Sequence, residues 1–279
     1  MRIGLVGVDS SHAEDFLRHF NSEARHPDIA VTALWGGDQV RTAELLALVP
    51  GLVAVGSLDQ LIADVDAVIV GDRHGDLHLP HALPAIAAGK PVFIDKPFAC
   101  NLDDAMALVD AAERAGTPLL SGSALRWQAE TGTLRARLAG LDGPFAISGR
   151  GTWYPDSEYG GAIFYAIHTI ELLHELVGVH WSDLRLEAGD HPVVRYDAGR
   201  ASVTLHLHPL GPGGSSEFGV SVHSPQLSRD VPIPLGDDYM APVTDRIAAM
   251  LRTGRGMDRE TLLAPIRMMA EIDALLGGR

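Results

Sequence analysis

"AAGKPVFIDKPFACNLDDAMALVDAAERAG" (residues 87–116) decides how the amino-terminal part of the chain folds. Val92, Phe93 and Ile94 form a short apolar run of the kind found in a strand buried on both faces. Asp95, Lys96 and Pro97 close it. A helix is predicted over 101–116, with Leu102, Met106, Leu108, Val109 and Ala112 on one side and Glu113 and Arg114 opposite. Gly116 and then Pro118 stop it in the order expected at a helix C-terminus. Side chains that directly follow a buried parallel strand stand at its carboxyl end, where α/β sheets bind ligands. A lone lysine is usually a solvated surface charge. Lys96, fixed between a buried strand and a proline, is a poor surface residue. It suits a general acid or base instead, because burial lowers a lysine pKa toward neutrality.

The same texture extends back to residue 1. Short β-branched runs (Ile3–Val8, Ile29–Leu34, Val53–Val55, Ala67–Val70, Pro91–Ile94, Pro118–Ser121) alternate with helical candidates at 12–25, 38–48, 57–64, 78–89 and 101–116. That alternation predicts an α/β doubly wound parallel sheet over 1–122.

Beyond it the pattern changes. A helix is expected over 124–138, a strand over 144–153 and an apolar helix over 161–178. Strands follow at 183–188, 192–197, 201–208 and 217–223. In "SVTLHLH" the alternation puts Val203, Leu205 and Leu207 on one face and Thr204, His206 and His208 on the other. "GPGGSS" (211–216) is read as a hairpin loop. Helices at 239–253 and 258–276 close the chain and are placed to pack back on the amino-terminal domain. Residues 123–279 thus form an α+β domain around a mostly antiparallel open sheet.

Composition narrows the partners. The 279 residues are 46% hydrophobic and 21% charged, with formal net charge −14, enough apolar material for a sizeable core. Nucleic acid and anionic membranes are disfavoured, since both are held by clustered Lys and Arg. The one cysteine, Cys100, excludes an intramolecular disulfide and fits a reducing compartment. No signal-like segment opens the chain and no apolar run is long enough to cross a bilayer, so a cytoplasmic protein is expected.

The opening turn, "IGLVGVDSSHAEDF" (3–16), raises a specific question. A pyrophosphate-binding turn uses G-x-G-x-x-G so that the backbone can approach the ligand. Gly7 meets the first requirement, but Asp9 and His12 occupy the other two positions. Ser10 and Ser11 could donate to a phosphate or simply cap the helix. After the second strand come Gly36 and Asp38. A carboxylate there would favour a ribose 2′-hydroxyl, whereas Arg41 would suit a 2′-phosphate. The N-cap of the following helix is the plainer role for Asp38.

With these residues in place, the chain resembles the glucose–fructose oxidoreductase / inositol dehydrogenase / MocA-like (Gfo/Idh/MocA) family, whose members carry E-K-P or D-K-P where Asp95-Lys96-Pro97 stand. The resemblance extends over nearly the whole chain. The family's T-P-x-x-x-H segment is represented by Asp72-Arg73-His74-Gly75 and a retained His78. "SGSALRW" (121–127) is similar to the segment after the sixth strand and places Arg126 on a common arginine. "GGAIFYAIHTIELLHELVG" (160–178) resembles the family's catalytic helix, G-G-G-x-x-x-D-x-G-x-H-x-x-D. His168 falls on the histidine and Glu171 on the carboxylate after it, while Phe164 replaces the preceding Asp. Without the resemblance, His168 among Ile163, Ile167, Ile170 and Leu172 reads as a core histidine.

The resemblance implies a Rossmann dinucleotide-binding domain with NAD or NADP as cofactor, and oxidation or reduction at a hydroxyl or carbonyl of a sugar, cyclitol or similar polar molecule. Lys96 and His168 are the implied catalytic residues. Gly7, Asp9, Ser10, Ser11, His12, Gly36, Asp38, Arg73, His78, Asp95 and Pro97 are expected at the cofactor. Arg126, Tyr154 and Glu171 are expected at the substrate. The open sheet implies a homodimer or homotetramer. A transient-redox lyase or isomerase, or a non-catalytic binding protein, are the alternatives on this scaffold. Asp9, His12 and Phe164 lean toward the last.

No metal is expected. "HTIELLH" spaces His168, Glu171 and His174 by three, but each such step turns about 60° around a helix and separates the two histidines by roughly 120°. No G-x-S-x-G elbow is present. Trp127, Trp153, Tyr154, Tyr159 and Tyr165 could stack on a sugar ring or serve as packing.

Overall fold

The computed structural model describes residues 1–210 and 216–277. They divide into two compact units, one of Met1–Gly122 with Met240–Leu262, the other of Ser123–Tyr239 with the residues from Leu263 onward.

In the first unit six strands lie in the order β3-β2-β1-β4-β5-β6, every neighbouring pair parallel. They are β1 (Arg2–Val6), β2 (Ala30–Trp35), β3 (Val53–Ala54), β4 (Ala67–Val70), β5 (Val92–Ile94) and β6 (Leu119–Ser121). β4 and β5 are buried throughout, as a sheet covered by helices on both faces requires. The crossovers are α1 (His12–Leu17), α2 (Gln39–Leu48), α3 (Leu58–Asp64), α4 (His78–Ala87) and α5 (Leu102–Ala115). Local chemistry sets their ends. Asp38, Ser57 and Asn101 accept backbone N–H bonds at the starts of α2, α3 and α5, and Gly116 takes the left-handed conformation after α5. The predicted 12–25 helix is shorter: α1 gives way to a π-helical turn over Arg18–Ser22.

Residues from the far end of the chain complete this unit. Helix α8 (Ala241–Thr253) packs through Thr244, whose hydroxyl lies 3.2 Å from His19 Nδ1 in a buried contact. Arg252 pairs with Asp28. The segment after α8 runs along the exposed edge of β6, where the Met257 amide donates to the Leu119 carbonyl at 2.7 Å. A side chain at Gly256 would collide with the Leu119 backbone, so glycine permits that approach.

The second unit is built on a sheet of order β12-β11-β7-β10-β9-β8. Its strands are β7 (Phe145–Thr152), β8 (Ser182–Glu187), β9 (Val193–Ala198), β10 (Ala201–His208), β11 (Gly219–His223) and β12 (Ser228–Pro232). Only the β7/β10 pair is parallel. Helix α7 (Ile163–Val177) covers one face. It sits close because β7 offers Gly149, where an added Cβ would be 3.0 Å from both Thr169 and Leu173. The other face is polar, with Arg150 opposite His206 and Ser148 opposite Thr204.

Two expectations for this unit need correction. The single helix predicted over 124–138 is a 3-10 turn (Ala124–Trp127) and a separate α6 (Ala129–Ala139), divided by extended Gln128. Ser123 caps the 3-10 turn by accepting from the Leu125 amide. Strand β12 was not expected. Of the predicted 211–216 loop, residues 211–215 lie outside the described residues. Helix α9 (Arg259–Leu275) ends the described chain.

Candidate active site

The carboxyl ends of β1, β2, β4 and β5 gather the residues expected at a cofactor in the first unit. Gly7 has φ +75°, and a Cβ there would meet the backbone nitrogen of Asp72 at 2.6 Å. At Gly36 (φ +83°) an added Cβ would come 3.6 Å from the Gly7 nitrogen. The turns after β1, β2 and β4 therefore pass at backbone-to-backbone distance, which only glycine tolerates at Gly7.

Asp9 does not block this turn. Its Oδ1 accepts from the Asp38 amide at 2.8 Å, sideways toward the β2–α2 connection. Ser10 Oγ accepts from the His12 amide at 3.2 Å. Ser11 occupies the N-cap position and makes no capping bond through its side chain. Asp38 caps α2 by accepting from the Val40 and Arg41 amides. Arg41 is held by Glu14 at 2.6 Å and Glu44 at 3.3 Å.

His12 reaches the end of β5. Its Nδ1 lies 2.6 Å from Oδ2 of buried Asp95. Burial pushes the Asp95 carboxyl up, but the charges of His12 and Lys96 together with their hydrogen bonds outweigh it and hold the group down at about 2. Lys96 is itself buried, and the bond to Pro97 is cis. His78 ties two of these loops together, with Nδ1 2.8 Å from the Pro97 carbonyl and Nε2 2.9 Å from the Asp72 carbonyl. Arg73 is exposed on the intervening segment. Two residues at this edge were missed: Asp72, buried, takes a 2.7 Å bond to Nδ1 of His81. An aspartate nine residues before a histidine carries no spacing signal by itself.

The second unit holds the remaining candidates. On α7, His168 Nδ1 lies 2.7 Å from Ser123 Oγ, and one turn on Glu171 accepts from the Ser123 amide at 2.6 Å. Glu171 faces Arg126 at 3.6 Å, and Arg126 meets Glu175 at 3.3 Å. Arg135 also pairs with Glu175. Arg126 and Glu171 are thus buried members of an ion-pair chain that fixes α7 to the 3-10 turn. Ser123, which joins His168 to that chain, was not anticipated.

Tyr154 is 39% exposed and stands edge-on to Tyr165. Phe164 packs between Tyr165 and Tyr159. His174 turns into the core, stacks on Trp181 and leaves both ring nitrogens without a hydrogen bond. Burial, with Arg126 and Arg267 nearby, drives its pKa down to about 3. His168, Glu171 and His174 are therefore engaged separately and do not converge on an ion.

Comparison with known proteins bears on the fold and on the first unit. Residues 1–123 match the family described as "Oxidoreductase family, NAD-binding Rossmann fold", GFO_IDH_MocA. Inositol 2-dehydrogenase of Cereibacter sphaeroides is 31% identical over 126 residues, 45% of this chain and 37% of the relative. The match therefore spans little more than a third of that relative's length. An uncharacterized protein of Saccharomyces cerevisiae is 28% identical over 203 residues, covering 64% of this chain and 56% of its own. In fold the chain is similar to the WlbA dehydrogenase from Thermus thermophilus, solved with NAD and UDP-GlcNAcA. That likeness has a TM-score of 0.78 at 17% identity, over 98% of this chain and 94% of the other. The likeness to the Gfo/Idh/MocA oxidoreductases is thus carried by residues 1–123, the NAD-binding Rossmann part of the chain.

The residues present fit a dinucleotide. The cradle at Gly7 is one that a Cβ would fill, and Asp9 is drawn aside by the Asp38 amide. Among the described residues no helix is long and apolar enough to cross a membrane.

Proposed function

We propose that the chain is an NAD(P)-dependent oxidoreductase acting on a hydroxyl or carbonyl of a sugar, cyclitol or similar polar small molecule. The observation that carries this reading is Lys96, buried at the carboxyl end of β5 beside the Asp95–His12 pair, in a unit of NAD-binding Rossmann type. The inositol dehydrogenase relative supports the substrate class.

Bound nicotinamide supplies the hydride acceptor or donor. In the oxidation direction the substrate carbon gives up its hydrogen with the bonding pair, the O–H bond breaks, and C–O becomes C=O. Lys96 hydrogen-bonds the substrate oxygen and stabilises the charge that develops there. His168 takes the hydroxyl proton. Because Nδ1 is engaged with Ser123, Nε2 is the nitrogen assigned to that transfer. Asp95, kept ionised, holds His12 and stabilises the Lys96 ammonium.

NAD is the preferred cofactor in this reading. Asp9 and Asp38 make the end of β2 acidic, and Arg41 is already neutralised by Glu14 and Glu44. A ribose 2′-phosphate would meet carboxylates without a free guanidinium.

Thermal melting with each dinucleotide tests the proposal. Saturating NAD raises the melting temperature by an amount set by RT ln(1 + [L]/Kd), and Lys96→Ala retains that shift while losing turnover of polyols. Absence of any shift with millimolar NAD(H) or NADP(H) defeats the redox reading.

A further inference from the structure

We propose that His74, Asp76 and Cys100 form a binding site for a divalent transition-metal ion, zinc above all, at the β4–α4 loop of the first unit. One ligand atom from each residue lies within 4.8 Å of the other two. The set combines a thiol, an imidazole and a carboxylate. Thiolate and imidazole select zinc, cobalt or copper over magnesium and calcium, which prefer all-oxygen sites.

The local backbone is shaped around the sulfur. Gly75, between the two loop ligands, faces Cys100 so closely that a Cβ would lie 2.8 Å from Sγ and 3.1 Å from Pro97 Cγ. A side chain at 75 would crowd the thiol and Pro97, so glycine permits the close approach. His74 also turns the loop, its Nδ1 accepting from the Asp76 amide at 3.3 Å. Cys100 in turn is fixed by the start of α5, where Asn101 caps the helix. Two loops therefore meet at this point through ligand-type atoms.

The distances suit a small ion. Tetrahedral zinc with bonds of about 2.0–2.3 Å sets its ligand atoms about 3.3–3.7 Å apart. His74 Nδ1 and Asp76 Oδ2 are 3.8 Å apart, and no pair of ligand atoms in the set is farther apart than 4.8 Å. Side-chain rotation closes such a gap, since the Asp76 side chain is 60% and that of His74 35% exposed. The same exposure gives the ion a path in and leaves the fourth position to water, the open coordination of non-structural zinc sites.

An ordinary cysteine thiol carries its proton at neutral pH. Burial and the facing Asp76 carboxylate, to which it hydrogen-bonds, lift Cys100 to about 12. A redox or nucleophilic role needs the thiolate, so neither suits this cysteine. A divalent cation replaces the thiol proton between sulfur and carboxylate. Zinc binding therefore releases close to one proton at neutral pH. Carboxylate and imidazole ligands alone would release far less.

The site is separate from the Lys96 chemistry proposed above and its test does not depend on turnover. Full-length protein stripped with chelator is titrated with zinc by calorimetry in two buffers of different ionisation enthalpy, and with cobalt by absorption. One equivalent, about one proton released and a thiolate-to-cobalt charge-transfer band are expected. Cys100→Ser abolishes the band, and His74→Ala weakens zinc at least tenfold, with the melting temperature of the metal-free protein preserved in both. Zinc binding that survives Cys100→Ser unchanged, or cobalt binding with no thiolate band, overturns the proposal, as does failure to bind either ion.

Discussion

His12 Nδ1 stands 2.6 Å from Asp95 Oδ2, joining the helix after the first strand to the end of the fifth. The position where a nucleotide-binding turn would carry its third glycine thus serves to hold the carboxylate beside Lys96. His12→Leu removes that partner from a buried charge and is expected to cost about 2–4 kcal/mol in urea unfolding. The pH response has a definite sign. Asp95 titrates lower folded than unfolded, so its contribution is present above about pH 4 and is lost as pH falls toward 2. The His12→Leu protein should lose less stability across that window. An equal loss in both proteins would contradict the pairing.

Ser123 positions His168. Ser123→Ala removes the Nδ1 partner together with the cap on the Leu125 amide; it should lower kcat roughly tenfold and displace the pH profile of kcat, with NAD binding unchanged. Ser123→Thr, which keeps the hydroxyl, should restore much of the rate. A profile unmoved by Ser123→Ala would remove the serine from the mechanism.

His174 makes the fold acid-sensitive. Its folded pKa of about 3 lies below the usual 6.5, so the unfolded chain binds the proton more readily. The sign follows: stability is full above 6.5 and declines as pH falls below it. Between pH 7 and 5 the loss is roughly 2 kcal/mol. His174→Phe keeps a ring to stack on Trp181 and removes two unsatisfied nitrogens, so it should flatten that slope without destabilising the protein at pH 7. Denaturant titrations at the two pH values measure the difference.

Charge at the β2–α2 turn sets the cofactor preference. Neutralising both clamps on Arg41 with Glu14→Gln and Glu44→Gln should favour NADP relative to NAD by about 1 kcal/mol, near fivefold. Calorimetric affinities for the two dinucleotides read this directly. An unaltered ratio would mean that Arg41 stays remote from the 2′ position.

The parallel sheet was legible because buried strands are short apolar runs and crossover helices carry caps and a terminal glycine; Asp38 and Gly116 behave as read. β12 was not, since an exposed edge strand, "SRDVP", needs neither alternation nor a hydrophobic face. The break at Gln128 was hidden because a capping Ser123 inside a helix-compatible stretch looks like any other serine. Lys96 was singled out by its strand end and His168 by the family resemblance, whereas Ser123 lies 45 positions from His168. No local period encodes such a partner. Asp9 was ambiguous for a related reason: its orientation is decided by an amide on another loop.

The strip of chain that lies along β6 also sets an order of events during synthesis. When the first 122 residues have left the ribosome, the β6 edge of the sheet still lacks the Met257 amide, and His19 still lacks the helix carrying Thr244. That edge is an open template for pairing with another nascent chain. It closes only after the entire second sheet has been translated. A fragment ending at residue 122 would carry every residue of the nucleotide turn and yet remain unfinished.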